Sequence, residues 1–162
     1  MAFMKDLLAY DPSTGKLTWI RRLPRGGRPA GSKAGTIDAN VYGRVRVNSR
    51  FYKTARVAWF LMTGSWPKGI VDHKDRNRAN DSWSNLRLAT SSQNNHNRGM
   101  DSRNVSGYKG VSWHKGEGKW RAVISVQKRS HHLGYFANKK LAAAVWKEAA
   151  SRLHGEFACA LS

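Results

Sequence analysis

The sequence predicts an α+β chain of two small units, on three observations. Short segments that alternate apolar and polar residues recur along the chain, the period of half-buried strands. Two segments, ARVAWFLMTG and NKKLAAAVWKEAASRLHG, carry their apolar residues at helical spacing instead. Between the halves lies GMDSRNVSG, a polar run rich in Gly and Ser, which places a linker at residues 99–107. The first domain is then residues 1–98, with a basic lead-in and a core over 40–98. The second is residues 108–156.

Taken in order, AYDPSTGKLTWIRR reads as a turn and then a strand. Asp11-Pro12 and Thr14-Gly15 are turn formers, and Leu17, Trp19 and Arg21 alternate. LPRGGRPAGSKAG reads as a basic loop, either flexible or in contact with backbone phosphates. In GRVRVNSRFYKT, Val45 and Val47 face one way and Arg44 and Arg46 the other, with Asn48-Ser49 as the turn of a hairpin. Val57, Phe60 and Leu61 make the core face of a helix that stops at Gly64 and Pro67. Leu86 and Leu88 around Arg87 suggest a short strand. Ser91 or Ser92 can cap a helix carrying Gln93, Asn94, Asn95 and Asn97. Beyond the linker come three alternating segments, with turns at Gly116–Gly118 and Lys128–Ser130. A helix comes last, capped by Asn138 and ended by Gly155, with an apolar stripe of Leu141, Ala144, Val145, Ala149 and Leu153.

Composition narrows the partner. The 162 residues carry 29 Lys and Arg against 10 Asp and Glu, a net charge of +19. Such a charge repels itself unless it meets a polyanion, and nucleic acid fits because binding releases condensed counterions. The excess is shared: 18 basic against 6 acidic residues before residue 99, and 11 against 4 from there on. No apolar run approaches the roughly 20 residues a spanning helix needs. Asp6 and Asp11 interrupt any signal-peptide core. The expectation is a soluble, cytoplasmic chain with no membrane partner. Cys159 stands alone, so the sequence predicts neither an intrachain disulfide nor a zinc site.

One stretch stands out against this basic background: VDHKDRNRAND, from Val71. Taken singly, Asp72 reads as a turn cap and His73 as a surface imidazole. Asn85-Leu86-Arg87 and Ser92-Gln93-Asn94 come after it at regular intervals, and the order strand, loop, strand, helix resembles the His-Asn-His (HNH) endonucleases of the phage and intron-encoded type. The likeness covers residues 40–98. It implies a ββα unit that holds one divalent metal and a protein that hydrolyses phosphodiester bonds in double-stranded DNA. Asp72 matches the metal-ligand carboxylate, and Asn94 the helix ligand, with Asn95 or Asn97 in its place if the helix register differs. That oxygen donor set suits Mg²⁺ or Mn²⁺. His73 matches the general base, with a pKa suited to accepting a proton from water near neutrality. Asn85 matches the middle Asn, whose amide pins the loop and so holds His73. Arg44, Arg46, Arg76 and Arg87 are candidate DNA contacts. Relatives often carry His where this chain has Ala55, so a DNA-binding protein with an inactive HNH unit is the alternative. One site per chain implies a nick, and a double-strand cut would need a homodimer on DNA or a second visit.

The second half has its own likeness. Tyr108-Lys109-Gly110-Val111, Lys119-Trp120-Arg121-Ala122, Leu133-Gly134-Tyr135-Phe136 and the Ala-rich helix resemble the plant Apetala-two/ethylene-response-factor (ERF) DNA-binding domain. The resemblance implies a three-stranded sheet in the major groove with a helix behind it. Trp113, Lys115, Lys119, Arg121 and Lys128 become candidate contacts, with Trp113 and Trp120 alternatively core. Ser112, Ser125 and His132 stand where plant members use base-reading side chains, so the plant target sequence is not implied.

Overall fold

The structure, a computed structural model, describes residues 4–22 and 27–158. The Arg25 part of the basic loop, and Cys159, lie outside the described residues. The architecture is α+β, with small antiparallel sheets and three α-helices among the described residues. Contacts divide the chain into two units, Met1–Ala89 and Thr90–Ser162.

The first unit opens with β1 (Leu8–Tyr10) and β2 (Leu17–Trp19), joined by the predicted Asp11–Gly15 turn, with β3 (Lys33–Ala34) beside β2. The Asp11 carboxylate accepts from the backbone and hydroxyl groups of Ser13 and Thr14. Those bonds, the Ser13 hydroxyl first, hold its pKa down to about 2. A second sheet comprises β4 (Thr36–Ile37), β5 (Gly43–Val47) and β6 (Arg50–Lys53). Asn48 and Ser49 both take left-handed φ values, 46° and 63°. That is the turn whose twist suits a two-residue hairpin. Val45 and Val47 point into a core with Leu8, Leu17, Trp19, Val57 and Phe60. The last two come from α1 (Thr54–Thr63), which ends at Gly64 with φ 77°. Strands β7 (Ile70–His73) and β8 (Leu86–Ala89) close the unit as an antiparallel pair. Arg56 of α1 donates to the carbonyls of Pro67 and Gly69, fixing the approach to β7.

The second unit begins with α2 (Ser91–Asn97), then β9 (Val111–His114), β10 (Lys119–Val126), β11 (Arg129–Phe136) and α3 (Lys139–His154). The sheet order is β11-β10-β9, packed on α3. The sequence groups α2 with the first domain, whereas contacts group it with the sheet and helix of the second unit. His96 stacks flat on His154 at 3.7 Å, and the Lys109 ammonium donates to the carbonyls of His96 and Arg98 at 2.6 Å. Burial, then the charges of His154 and Lys109, hold His96 below the ordinary histidine pKa.

Three local readings need correction. The cap of α2 is Thr90, which forms a capping box with Gln93, rather than Ser91 or Ser92. The second turn of the sheet is Gln127-Lys128, both left-handed, one residue earlier than the sequence suggests. On α3 the buried stripe is Ala142, Trp146, Ala149, Ala150 and His154, while Leu141 and Leu153 are 55% and 44% exposed. Small alanines let the helix lie close to the sheet. Trp146 anchors it by donating from Nε1 to the Val123 carbonyl at 3.0 Å, and Gly110 gives the ring its room. Choosing the stripe by hydrophobicity alone favours Leu over that geometry.

Candidate active site

Asp72 and His73 are the last two residues of β7, and both are buried. The register sets Asp72 opposite Arg87 and His73 opposite Leu86. Cross-strand neighbours on one face lie close enough to pair. Here Arg87 Nε and Nη2 both reach Asp72 Oδ2 at 3.0 Å. The guanidinium fixes the carboxylate by two charge-assisted bonds. This corrects the grouping of Arg87 with the DNA contacts: its charge is buried against a carboxylate of its own chain, and Leu88 is the residue exposed.

His73 has a partner that sequence reasoning missed. Its Nε2 lies 2.8 Å from Asp81 Oδ1, and both side chains are about 5% exposed. The loop between the strands is pinned from inside by Asn85. The Asn85 amide oxygen accepts from the Asp75 backbone N–H, and its nitrogen donates to Asp75 Oδ1 and to the Asn80 carbonyl. Burial by itself raises the Asp75 pKa. The bonds from Asn80, Asn77 and Asn85 and the nearby His73 outweigh it and hold the carboxyl below its usual range. Tyr10 reaches in from β1, its hydroxyl donating to the Asp81 carbonyl at 2.7 Å. Burial, then the charges of Asp81 and Asp11, raise the Tyr10 pKa well above the ordinary phenol value. The same loop carries Arg76 at φ 64°, in the left-handed region that glycine enters without cost. A side chain in that region costs about 1 kcal/mol. Arg76→Gly is therefore expected to stabilise the protein by about 1 kcal/mol in urea unfolding, and an unchanged midpoint would contradict the strain.

Beside His73 stands Tyr42, with ring centroids 6.2 Å apart. The Lys53 ammonium lies 3.6 Å from the Tyr42 centroid and the Arg78 guanidinium 4.9 Å. Register puts Lys53 opposite Arg44, and Phe51 opposite Arg46. Arg44 and Arg46 lie over the exposed Phe51 ring at 4.6 and 5.7 Å. A track of four cations interleaved with two aromatic rings thus ends at His73. The alternation of β5 pointed to Arg44 and Arg46. Lys53, Arg78 and Tyr42 were findable only as the flanks of that hairpin and loop.

In the second unit, Asn94 is half-buried on α2, Asn95 exposed and Asn97 buried. Lys119 and Arg121 share the open face of the sheet with His114 and Tyr135, whose rings touch at 5.1 Å. Trp113 lies on the opposite face, edge-on to Trp120 at 5.2 Å on the side of α3. Lys115 and Lys128 occupy the exposed turns. In the first unit, Ala55 is buried in an apolar cluster with Ala58 and Leu86.

The Asp72 carboxylate is held in a fixed orientation by Arg87, and a carboxylate oxygen is the donor chemistry that Mg²⁺ and Mn²⁺ take. Among the described residues no group of three or more His, Cys, Asp and Glu gathers as a metal cluster.

Comparison with known proteins gives a family match for part of the chain. A model described as HNH endonuclease matches residues 52–96. The chain is similar to Protein 3.8 of Escherichia phage T7, 36% identical over 114 residues, which covers 67% of this chain and 93% of that protein. It is also similar to Uncharacterized HNH endonuclease L560 of Acanthamoeba polyphaga mimivirus, 34% identical over 99 residues, 60% of this chain and 50% of that one. Among solved structures, one described as DNA binding and cleavage by the HNH homing endonuclease I-HmuI aligns over 85% of this chain and 76% of its own, at 18% identity and a TM-score of 0.43.

Proposed function

We propose that this chain, whose residues 52–96 match the HNH endonuclease family, is a metal-dependent endonuclease of double-stranded DNA. One observation carries the reading: Asp72 and His73 stand side by side at the end of β7, Asp72 ion-paired with Arg87 and His73 hydrogen-bonded to Asp81, where a track of cations and aromatic rings terminates. Lys53, Arg78, Arg44 and Arg46 bind backbone phosphates and draw the strand toward His73. The His73 ring takes the proton of a water beside the scissile phosphate. Asp72 is the residue of the first unit that would hold Mg²⁺ or Mn²⁺, which when bound neutralises charge on the phosphate and the leaving oxygen. The sheet of the second unit adds a docking surface through Lys119 and Arg121, with Lys115 and Lys128 at its turns.

Supercoiled plasmid tests this directly. With Mg²⁺ or Mn²⁺ the protein should convert it to nicked circles, since one chain carries one such site, and chelation should stop the reaction. Plasmid left intact under all metals would overturn the reading, as would cleavage that survives thorough chelation. The cationic track makes a separate prediction. Log affinity should fall linearly with log salt, and alanine at Arg44, Arg46 or Lys53 should each flatten that slope by about 0.9. Slopes that do not move would remove those residues from the phosphate contacts.

A further inference from the structure

Asp81 takes no part in the proton transfer itself, yet it is buried with its carboxylate against His73. Its Oδ1 meets His73 Nε2 at 2.8 Å in a buried pair. A carboxylate only accepts hydrogen bonds, so Nε2 is the donor, and in the neutral ring the lone pair lies on Nδ1. Which nitrogen can take a proton from water is therefore set by Asp81.

Four elements position this residue. Tyr10 of β1 donates to its carbonyl. Gly15, at φ 72° in the turn between β1 and β2, lies against the Asp81 backbone so closely that a β-carbon there would overlap its carbonyl carbon. Gly43 of β5 leaves the space for the carboxylate: a β-carbon would stand 2.6 Å from Asp81 Oδ2 and 2.7 Å from Thr54 Oγ1. The backbone N–H of Trp83, two residues on, donates to the Pro12 carbonyl. Tyr10, Pro12, Gly15 and Gly43 all lie outside the 52–96 segment that the family model matches.

We propose that Asp81 is the positioning residue for His73, fixing the orientation of the ring and its Nε2–H tautomer, and that the N-terminal hairpin and Gly43 exist in this chain to hold Asp81 in place. This rests on the nuclease reading for its consequence, though not for its geometry. Asp81→Asn keeps the shape of the side chain and removes the obligate acceptor, because an amide can turn its NH₂ toward Nε2 and drive the proton to Nδ1. The expected result is a fall in kcat of about 10–100-fold, the scale for a residue that orients a reacting group, with KM for DNA within about twofold.

The deciding readout is the nitrogen spectrum of the His73 ring, recorded on the ¹⁵N-labelled full chain without metal or DNA. The tautomer is read from the ring once its two nitrogen shifts report the neutral imidazole. The parent should show the proton on Nε2, and Asp81→Asn a shift of population toward Nδ1–H. Gly43→Ala, which displaces the carboxylate without removing it, should move the spectrum the same way. A parent ring protonated on Nδ1 overturns the proposal on its own, even if no variant folds. So does an Asp81→Asn protein whose turnover and spectrum match the parent. If the parent cuts no DNA, the nuclease reading falls, and the ring spectrum still decides the claim about Asp81.

Discussion

Replacing His73 by alanine is expected to lower kcat for DNA cleavage by about 10²–10⁴-fold, the usual range for loss of a general base, and to leave DNA affinity nearly unchanged. On the proposed reading the ring works on water, while phosphate binding falls to Lys53, Arg78 and the β5–β6 cations around Tyr42. A second effect has to be separated from the first. His73 is half of a buried pair, and its removal leaves the Asp81 carboxylate without that donor, which costs about 3–5 kcal/mol in typical buried pairs. His73→Gln is the control, because its amide can still donate to Asp81 but makes a poor base. It should fold close to parent stability by urea unfolding and cut as slowly as the alanine variant. A glutamine variant that nicks plasmid within a fewfold of the parent would remove His73 from the chemistry.

How much of this could be seen in the sequence depends on the distance between partners along the chain. The β5–β6 hairpin was legible because its alternation and its Asn48-Ser49 turn lie within a dozen residues, and α1 because its stripe and its Gly64 stop are contiguous. The pair Asp72-His73 and the loop-pinning Asn85 were legible as a motif. What made no local signal were the partners of those residues. Arg87 looked like a surface cation in an alternating strand, and only the β7–β8 register shows that it faces Asp72. Asp81 carries no signal of its own in the sequence, and Tyr10, which holds it, stands 71 residues earlier. In the same way α2 reads as the end of the first domain, until the His96–His154 stack joins residues on separate helices. The α3 stripe failed for a related reason. Its face is chosen by the hydrogen bond of Trp146 to a strand carbonyl, an interaction that hydrophobic spacing does not encode.

The Asp72–Arg87 pair sets the second large expectation and complicates the obvious test of the metal. Asp72→Ala removes the proposed metal ligand and, at once, the carboxylate facing a buried guanidinium whose Nε and Nη2 it holds at 3.0 Å. Breaking a buried pair from one side typically costs about 3–5 kcal/mol, a large part of the stability of a small domain. Lost activity in that variant would therefore be ambiguous between an absent metal and an unfolded site. Adding Arg87→Met takes away the stranded charge, and replacing both partners by apolar groups is often close to neutral. The double variant should recover most of the lost stability in urea unfolding, with a coupling energy of about 2 kcal/mol or more, and should still fail to nick plasmid in Mg²⁺ or Mn²⁺. Asp72→Asn should fall between, since its amide oxygen still accepts from Arg87 while its charge is gone. If the folded double variant cleaves as the parent does, Asp72 serves only the fold, and any metal must be held by other oxygens. If the single variant is as stable as the parent, the cross-strand pair contributes nothing, and the inactivity of Asp72→Ala then reads directly as loss of the ligand.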